Sequence, residues 1–176
     1  EKIAAGVDFH RHTLRALELG PPERVSVRSG EPVKASYPSS NSFRWDFAPR
    51  GKFGAVSVWW HDGPDAGPPR DLAGDVVATY GRVPANGCLF VGEKGVLYSP
   101  SDYGSDWKLL PEKQFVGFEG PAPTLARNGR GDQGMKDEWA AGIRGGPKPF
   151  SSFDYASLLT ETILLGNVAI HARVPL

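Results

Sequence analysis

Four short stretches of this 176-residue chain carry residue types at spacings that could do chemistry. Asp8 and His12 stand four apart, so on a helix they share one face. A carboxylate beside an imidazole orients the ring and raises its pKa, which suits general acid–base catalysis. The plainer alternative is an ordinary surface pair. His10 and His12 could meet on one metal only in a strand, because two residues apart on a helix they point about 200° apart. Trp59-Trp60-His61-Asp62 closes an apolar run and enters a loop, where Trp60 and His61 could wall a pocket for a sugar or another polar ligand. The competing reading is a core tryptophan next to a half-buried partner.

Gly129-Arg130-Gly131-Asp132-Gln133-Gly134 spells a Gly-x-Gly-x-x-Gly, and Asp154 follows at the distance a dinucleotide site would want. That fingerprint works when a buried strand delivers the chain into a tight turn whose helix start meets the pyrophosphate. The residues before it, Pro121-Ala122-Pro123-Thr124-Leu125-Ala126-Arg127-Asn128, make no central strand, so no cofactor is expected there. The Arg130-Gly131-Asp132 tripeptide has no adhesive context around it. Cys88 lies in an apolar run and reads as packing rather than as a nucleophile. The sequence contains no nucleophile elbow, phosphate-binding loop, histidine-rich metal cluster or basic–aromatic strip, and no metal site is expected.

The elements that must position these groups follow from periodicity. Ile3, Val7, Leu14 and Leu17 form one helical stripe, which predicts a helix over 3–19 stopped by Gly20-Pro21-Pro22. The period then drops to two in Arg24-Val25-Ser26-Val27-Arg28 and Phe43-Arg44-Trp45-Asp46-Phe47, and 54–61 is β-branched and aromatic, so three strands follow. Residues 62–70 are turn formers. Two apolar runs, 87–91 and 95–98, flank Gly92-Glu93-Lys94 and predict a hairpin, with a further short strand at 107–110. Residues 111–130 read as an extended crossing segment. Helices are expected over 132–143 and 154–172, the second opened by Ser151 with Asp154 at capping-box spacing. Strands grouped together rather than alternating with helices indicate an α+β fold, an open, mostly antiparallel sheet, and one domain spanning 1–176.

Composition narrows the function classes. Twenty basic and twenty acidic residues cancel, which argues against a nucleic-acid or anionic-membrane binder. At 40% hydrophobic and 11% aromatic residues the chain can fill a core, and its 22 Gly and 16 Pro imply many turns. One cysteine excludes an intrachain disulfide framework. The apolar segment 156–170 is interrupted by Thr160, Glu161, Thr162 and Asn167, as in a buried amphipathic helix rather than a membrane span. No basic stretch leads into an apolar run at the start, so no signal peptide is expected, and the compartment stays open. A chain opening on Glu1 reads as a processed product or a piece of something longer.

From Tyr37 onward the residues resemble the C-terminal domain of Gfo/Idh/MocA-type oxidoreductases, in a bacterial subgroup abundant in planctomycete-like genomes. The pieces come in the family's order: Tyr37-Pro38, the run Phe43 to Phe47, Val58-Trp59-Trp60-His61-Asp62-Gly63, Gly87 to Gly95, Leu109-Leu110-Pro111, Glu138-Trp139, and Phe153-Asp154-Tyr155 through to Ala169. The resemblance implies an open, mostly antiparallel sheet with helices packed on one face. It also implies a substrate pocket for a sugar, inositol or related polyol, and a homo-oligomer built through the sheet. NAD or NADP would be held by a separate Rossmann domain that carries the catalytic lysine, with none bound by these residues. Against the family's Asp, His and Asp positions, a gapless alignment on Ala16-Leu17-Glu18-Leu19-Gly20 puts Ala4, Asp8 and Arg11; sliding one turn restores Asp8 and His12 as the proton-transfer candidates. Two rival readings remain open. One is a non-catalytic binding or dimerisation module that has lost the catalytic histidine. The other is a small hydrolase or lyase using Asp8 and His12 alone.

Overall fold

The computed structural model describes residues 2–6, 12–31, 36–64, 67–68, 71–83, 85–100, 106–124 and 129–172. Its elements in chain order are β1 (Lys2–Gly6), α1 (His12–Ala16), β2 (Arg24–Ser29), β3 (Asn41–Phe47), β4 (Val56–Asp62), α2 (Gly74–Tyr80), β5 (Cys88–Gly92), β6 (Gly95–Ser99), β7 (Lys108–Leu110), a 3₁₀ turn (Glu112–Phe115), α3 (Gly131–Ile143) and α4 (Phe153–Ala172). The strands form one seven-stranded sheet in the order β2-β3-β4-β1-β5-β6-β7, open at both edges. Two antiparallel triplets flank β1, which pairs parallel with β4 and antiparallel with β5. The fold is α+β with an open, mostly antiparallel sheet, as the grouping of strands implied.

The helix expected over 3–19 is corrected at its start. Residues 2–6 are the central strand of the sheet, and among the described residues of this stretch His12–Ala16 is helical. Lys-Ile-Ala-Ala-Gly carries one β-branched residue, so its strand state comes from ladders offered on both sides rather than from propensity. Short α1 is finished by tertiary contacts. The Arg50 guanidinium donates to the Leu17 and Glu18 carbonyls, satisfying orphan groups at the negative helix end. The left-handed residue of this turn is Glu18, at φ 50°, and not Gly20.

Alternation along the strands divides the sheet into two faces. On one, Val25, Phe43, Trp45, Phe47, Val56, Val58, Trp60, Cys88 and Phe90 pack with Leu14, Leu17 and Leu19 and with Tyr155, Leu159, Ile163 and Ala169 of α4. Thr162, Gly166 and Ala169 form the buried stripe of α4, at spacings of four and three. Small residues there let the helix approach the sheet closely. A Cβ at Gly166 would stand 3.0 Å from Phe43 Cδ1 and 3.2 Å from Trp45 Cζ2.

The opposite face is covered at the other end of the sheet. Leu89, Val96, Tyr98 and Leu110 pack there against Leu72, Ala73 and Val76. The last three belong to or lead into α2, an element that periodicity did not mark. Helices thus cover one face as expected at the β2–β4 half, and α2 adds a second cover behind the β5–β7 half. Behind β2–β4 lies a half-buried ladder of polar and aromatic side chains, with Ser42 opposite His61, Arg44 opposite Trp59 and Asp46 opposite Ser57. This surface mixes polar and aromatic side chains and is not a broad apolar face. Among the described residues no helix is long and apolar enough to cross a membrane.

Candidate functional site

The register of β3 and β4 builds the floor of a cleft. Asn41 lies opposite Asp62 and Phe43 opposite Trp60, two successive same-face pairs at the end of the strands. The C-terminal half of α4 lies above them and contributes Ile163, Asn167 and Ile170. Tyr37 and Pro38, on the approach to β3, close a third side. The enclosed volume is about 350 Å³, at the small end of ligand-pocket sizes.

Three local devices hold this geometry. Trp45 Nε1 donates 2.8 Å to the Thr162 carbonyl and ties the middle of α4 to β3. Asn41 Nδ2 donates 3.1 Å to the Pro38 carbonyl, fixing the approach segment. Gly63, just past Asp62, has φ 94°, and a Cβ there would sit 2.1 Å from the Ser39 carbonyl oxygen. Only glycine allows the end of β4 and the 38–40 segment to pass so close.

The polar side chains lining the cleft are Tyr37, Asn41, Asp62 and Asn167. Asn41 is 5% exposed, and with Nδ2 committed to Pro38 its Oδ1 is buried without a partner among the described residues. The Asp62 carboxylate, exposed at the mouth, forms no salt bridge among the described residues. Asn167 adds an amide. Tyr37, Phe43, Trp45 and Trp60 supply aromatic surface. His171 packs edge-on against Tyr37 at 6.1 Å and does not line the cleft.

The structure divides the residues singled out by sequence. Trp60 lines the cleft. His61, its neighbour along β4, points to the other side of the sheet, where its Nδ1 pairs with Ser42 Oγ at 3.0 Å and its ring stacks on Trp59. Burial pushes its imidazole below the ordinary 6.5, which favours the neutral ring, and its Nε2 has no partner among the described residues. Nearby, Arg44 lies over Trp59 at 5.0 Å and joins Asp46 and Ser57 in a hydrogen-bonded network. His12 is the first residue of α1, and Asp8 lies outside the described residues. With β1 occupying 2–6, the helix expected over 3–19 is not formed at its start, and how Asp8 stands to His12 lies outside the described residues.

Asn41, Asp62, Asn167 and Tyr37 were not singled out as ligand groups. A signal for Asn41 existed: it continues the period-two run 43, 45, 47 backward with a polar residue on the core face. Asn167 likewise stands four after Ile163 on the helix face turned to the sheet. Pairing these two segments required the register.

The glycine-rich segment leads directly into α3. Gly129 and Gly131 have φ of 73° and 53°, and α3 starts at Gly131. The residues described before it, 118–124, contain no strand to aim a turn at a pyrophosphate. No group of three or more His, Cys, Asp or Glu side chains among the described residues could hold a metal ion. No protein-family model matches the chain, and no curated protein matches it.

Proposed function

We propose that the chain is a polyol-binding domain, the substrate-side and oligomerisation part of an NAD(P)-dependent oxidoreductase of the Gfo/Idh/MocA type. The observation that carries the reading is the cleft between β3–β4 and α4. Aromatic rings line it, and polar groups converge at one end, the combination that binds sugars through stacking and hydrogen bonds. The reading assigns Trp60 a stacking role, and Asp62 and Asn167 the hydroxyls. It leaves the nicotinamide cofactor to a separate Rossmann domain. Asp8 and His12 are its proton-transfer candidates in the assembled enzyme.

The non-catalytic alternative draws on the sequence, where the gapless alignment puts Ala4, Asp8 and Arg11 at the family's Asp, His and Asp positions. Under either reading the cleft is a binding site, so binding is the first test. Sorbitol, myo-inositol and glucose are titrated into the 176-residue chain and followed by calorimetry and tryptophan fluorescence. At least one should bind, and Trp60→Ala should weaken it roughly tenfold, equivalent to about 1.4 kcal/mol. Trp59→Ala, on the opposite face, should leave the affinity unchanged. Absence of binding by all three, or an effect of Trp59→Ala and none of Trp60→Ala, would sink the proposal.

A further inference from the structure

The cleft has a direction, set by how α4 crosses the paired strands. Trp45 Nε1 bonds to the Thr162 carbonyl, Gly166 passes close over Phe43, and His171 reaches Tyr37. The helix therefore runs along β3 toward the start of that strand. Ile163, Asn167 and Ile170 succeed one another from the inner end of the cleft to its mouth, over a helical rise of about 10 Å. Exposure falls inward along the same line. Asp62 is exposed, Phe43 and Trp60 are half-buried, and Trp45 is buried.

The two ends differ in chemistry. The mouth offers the Asp62 carboxylate and the Tyr37 hydroxyl, with the Asn167 amide midway. Asn41 stays out of this set, because its Nδ2 is given to Pro38 and its Oδ1 is buried. The inner end is made by the stacked rings of Phe43 and Trp45 and the branched chain of Ile163, and Phe43 and Ile163 keep part of their surface open. The Trp45 N–H there is already spent on Thr162. A hydroxyl seated at this end would exchange water for ring and alkyl surface, which costs free energy. An apolar group seated there gains it, and a flat ring also extends the stack. We infer that the ligand of this cleft is an aryl glycoside. Its sugar lies at the mouth against Trp60, Asn167 and Asp62, and its aromatic group lies at the inner end against Phe43 and Ile163. The inference rests on the polyol-binding reading above and narrows it.

The test compares methyl, cyclohexyl and phenyl β-D-glucopyranoside, which share a sugar and differ in the group it carries, by calorimetry on the 176-residue chain. The phenyl glycoside should bind at least about tenfold tighter than the methyl and about threefold tighter than the cyclohexyl. Ile163→Ala should reduce the phenyl preference over methyl to about threefold or less. Ile163→Phe, which fills the inner end, should abolish it, and both variants should leave the methyl glycoside unchanged. Equal affinities of the unsubstituted chain for methyl and phenyl glycosides would overturn the aryl site and leave the polyol reading intact. Cyclohexyl binding as tight as phenyl would overturn its aromatic character. A preference that survives both Ile163 variants would overturn its placement at the inner end. If phenol alone binds as tightly as the phenyl glycoside, the polyol part is overturned. If none of the three glycosides binds, both readings fall.

Discussion

His61 shows how one residue's surroundings decide its role. On the sheet face away from the cleft it is half-buried between Ser42 and Trp59, and burial disfavours its charged form. The sign of the linkage follows. Above 6.5 the ring is neutral in both folded and unfolded chains and contributes no pH dependence. Below it the unfolded ring takes up a proton that the folded ring resists, so the unfolded state binds more protons and stability falls as pH falls. Urea unfolding at about pH 7.5 and about pH 5 should therefore show a loss of stability on acidification, reduced in His61→Gln, which keeps a hydrogen-bonding group near Ser42. An identical loss in the variant would show that the imidazole titrates freely in the folded chain. The residue also shows the limit of reading a site from neighbours in sequence. Trp60 and His61 are adjacent, and strand alternation sends them to opposite faces.

At the scale of elements, the parts legible in the sequence were those whose periodicity agreed with their environment. The alternation of Phe43, Trp45 and Phe47 marked a half-buried strand, the Glu93-Lys94 turn joins β5 to β6 as the hairpin reading required, and α4 spans almost the expected residues. Its start is set one residue later than the capping box implied, with the Ser152 carbonyl accepting from the Tyr155 and Ala156 N–H groups. The misread element, β1, has an apolar pattern compatible with a helix and gains its strand state from β4 and β5, which are distant in sequence. Helix α2 carries β-branched Val76 and Val77; burial of Val76 and the left-handed Gly81, whose N–H returns to the Val77 carbonyl, hold it. The cleft depends on one such long-range fit, the approach of α4 to β3 at Gly166. Alanine there gains helix propensity of about 1 kcal/mol. Its methyl group would meet Phe43 and Trp45, and Trp45 is anchored to Thr162 with Phe43 stacked on it. Gly166→Ala should thus lose about 1 to 2 kcal/mol net in urea unfolding and weaken ligand binding with it. A stability equal to or above that of the unsubstituted chain would show that the rings can move aside.

At the scale of the whole molecule, two kinds of surface among the described residues stand open to a partner. On α3, Met135, Trp139 and Ile143 recur every four residues and stay exposed, Trp139 at 60% and Ile143 at 66%. Behind β2–β4 runs the ladder containing Arg44 and Trp59, residue types that anchor protein interfaces. The proposed homo-oligomer through the sheet uses the second surface. Sedimentation at high micromolar concentration should then show a dimer or larger species, and Arg44→Ala should shift it toward monomer with unchanged circular dichroism. Trp139→Ser should leave the assembly alone, because α3 lies outside that contact. The reverse pattern would move the interface to the α3 stripe. A monomeric unsubstituted chain would mean that a different partner covers these surfaces, and a second domain carrying the cofactor is the partner that the oxidoreductase reading supplies.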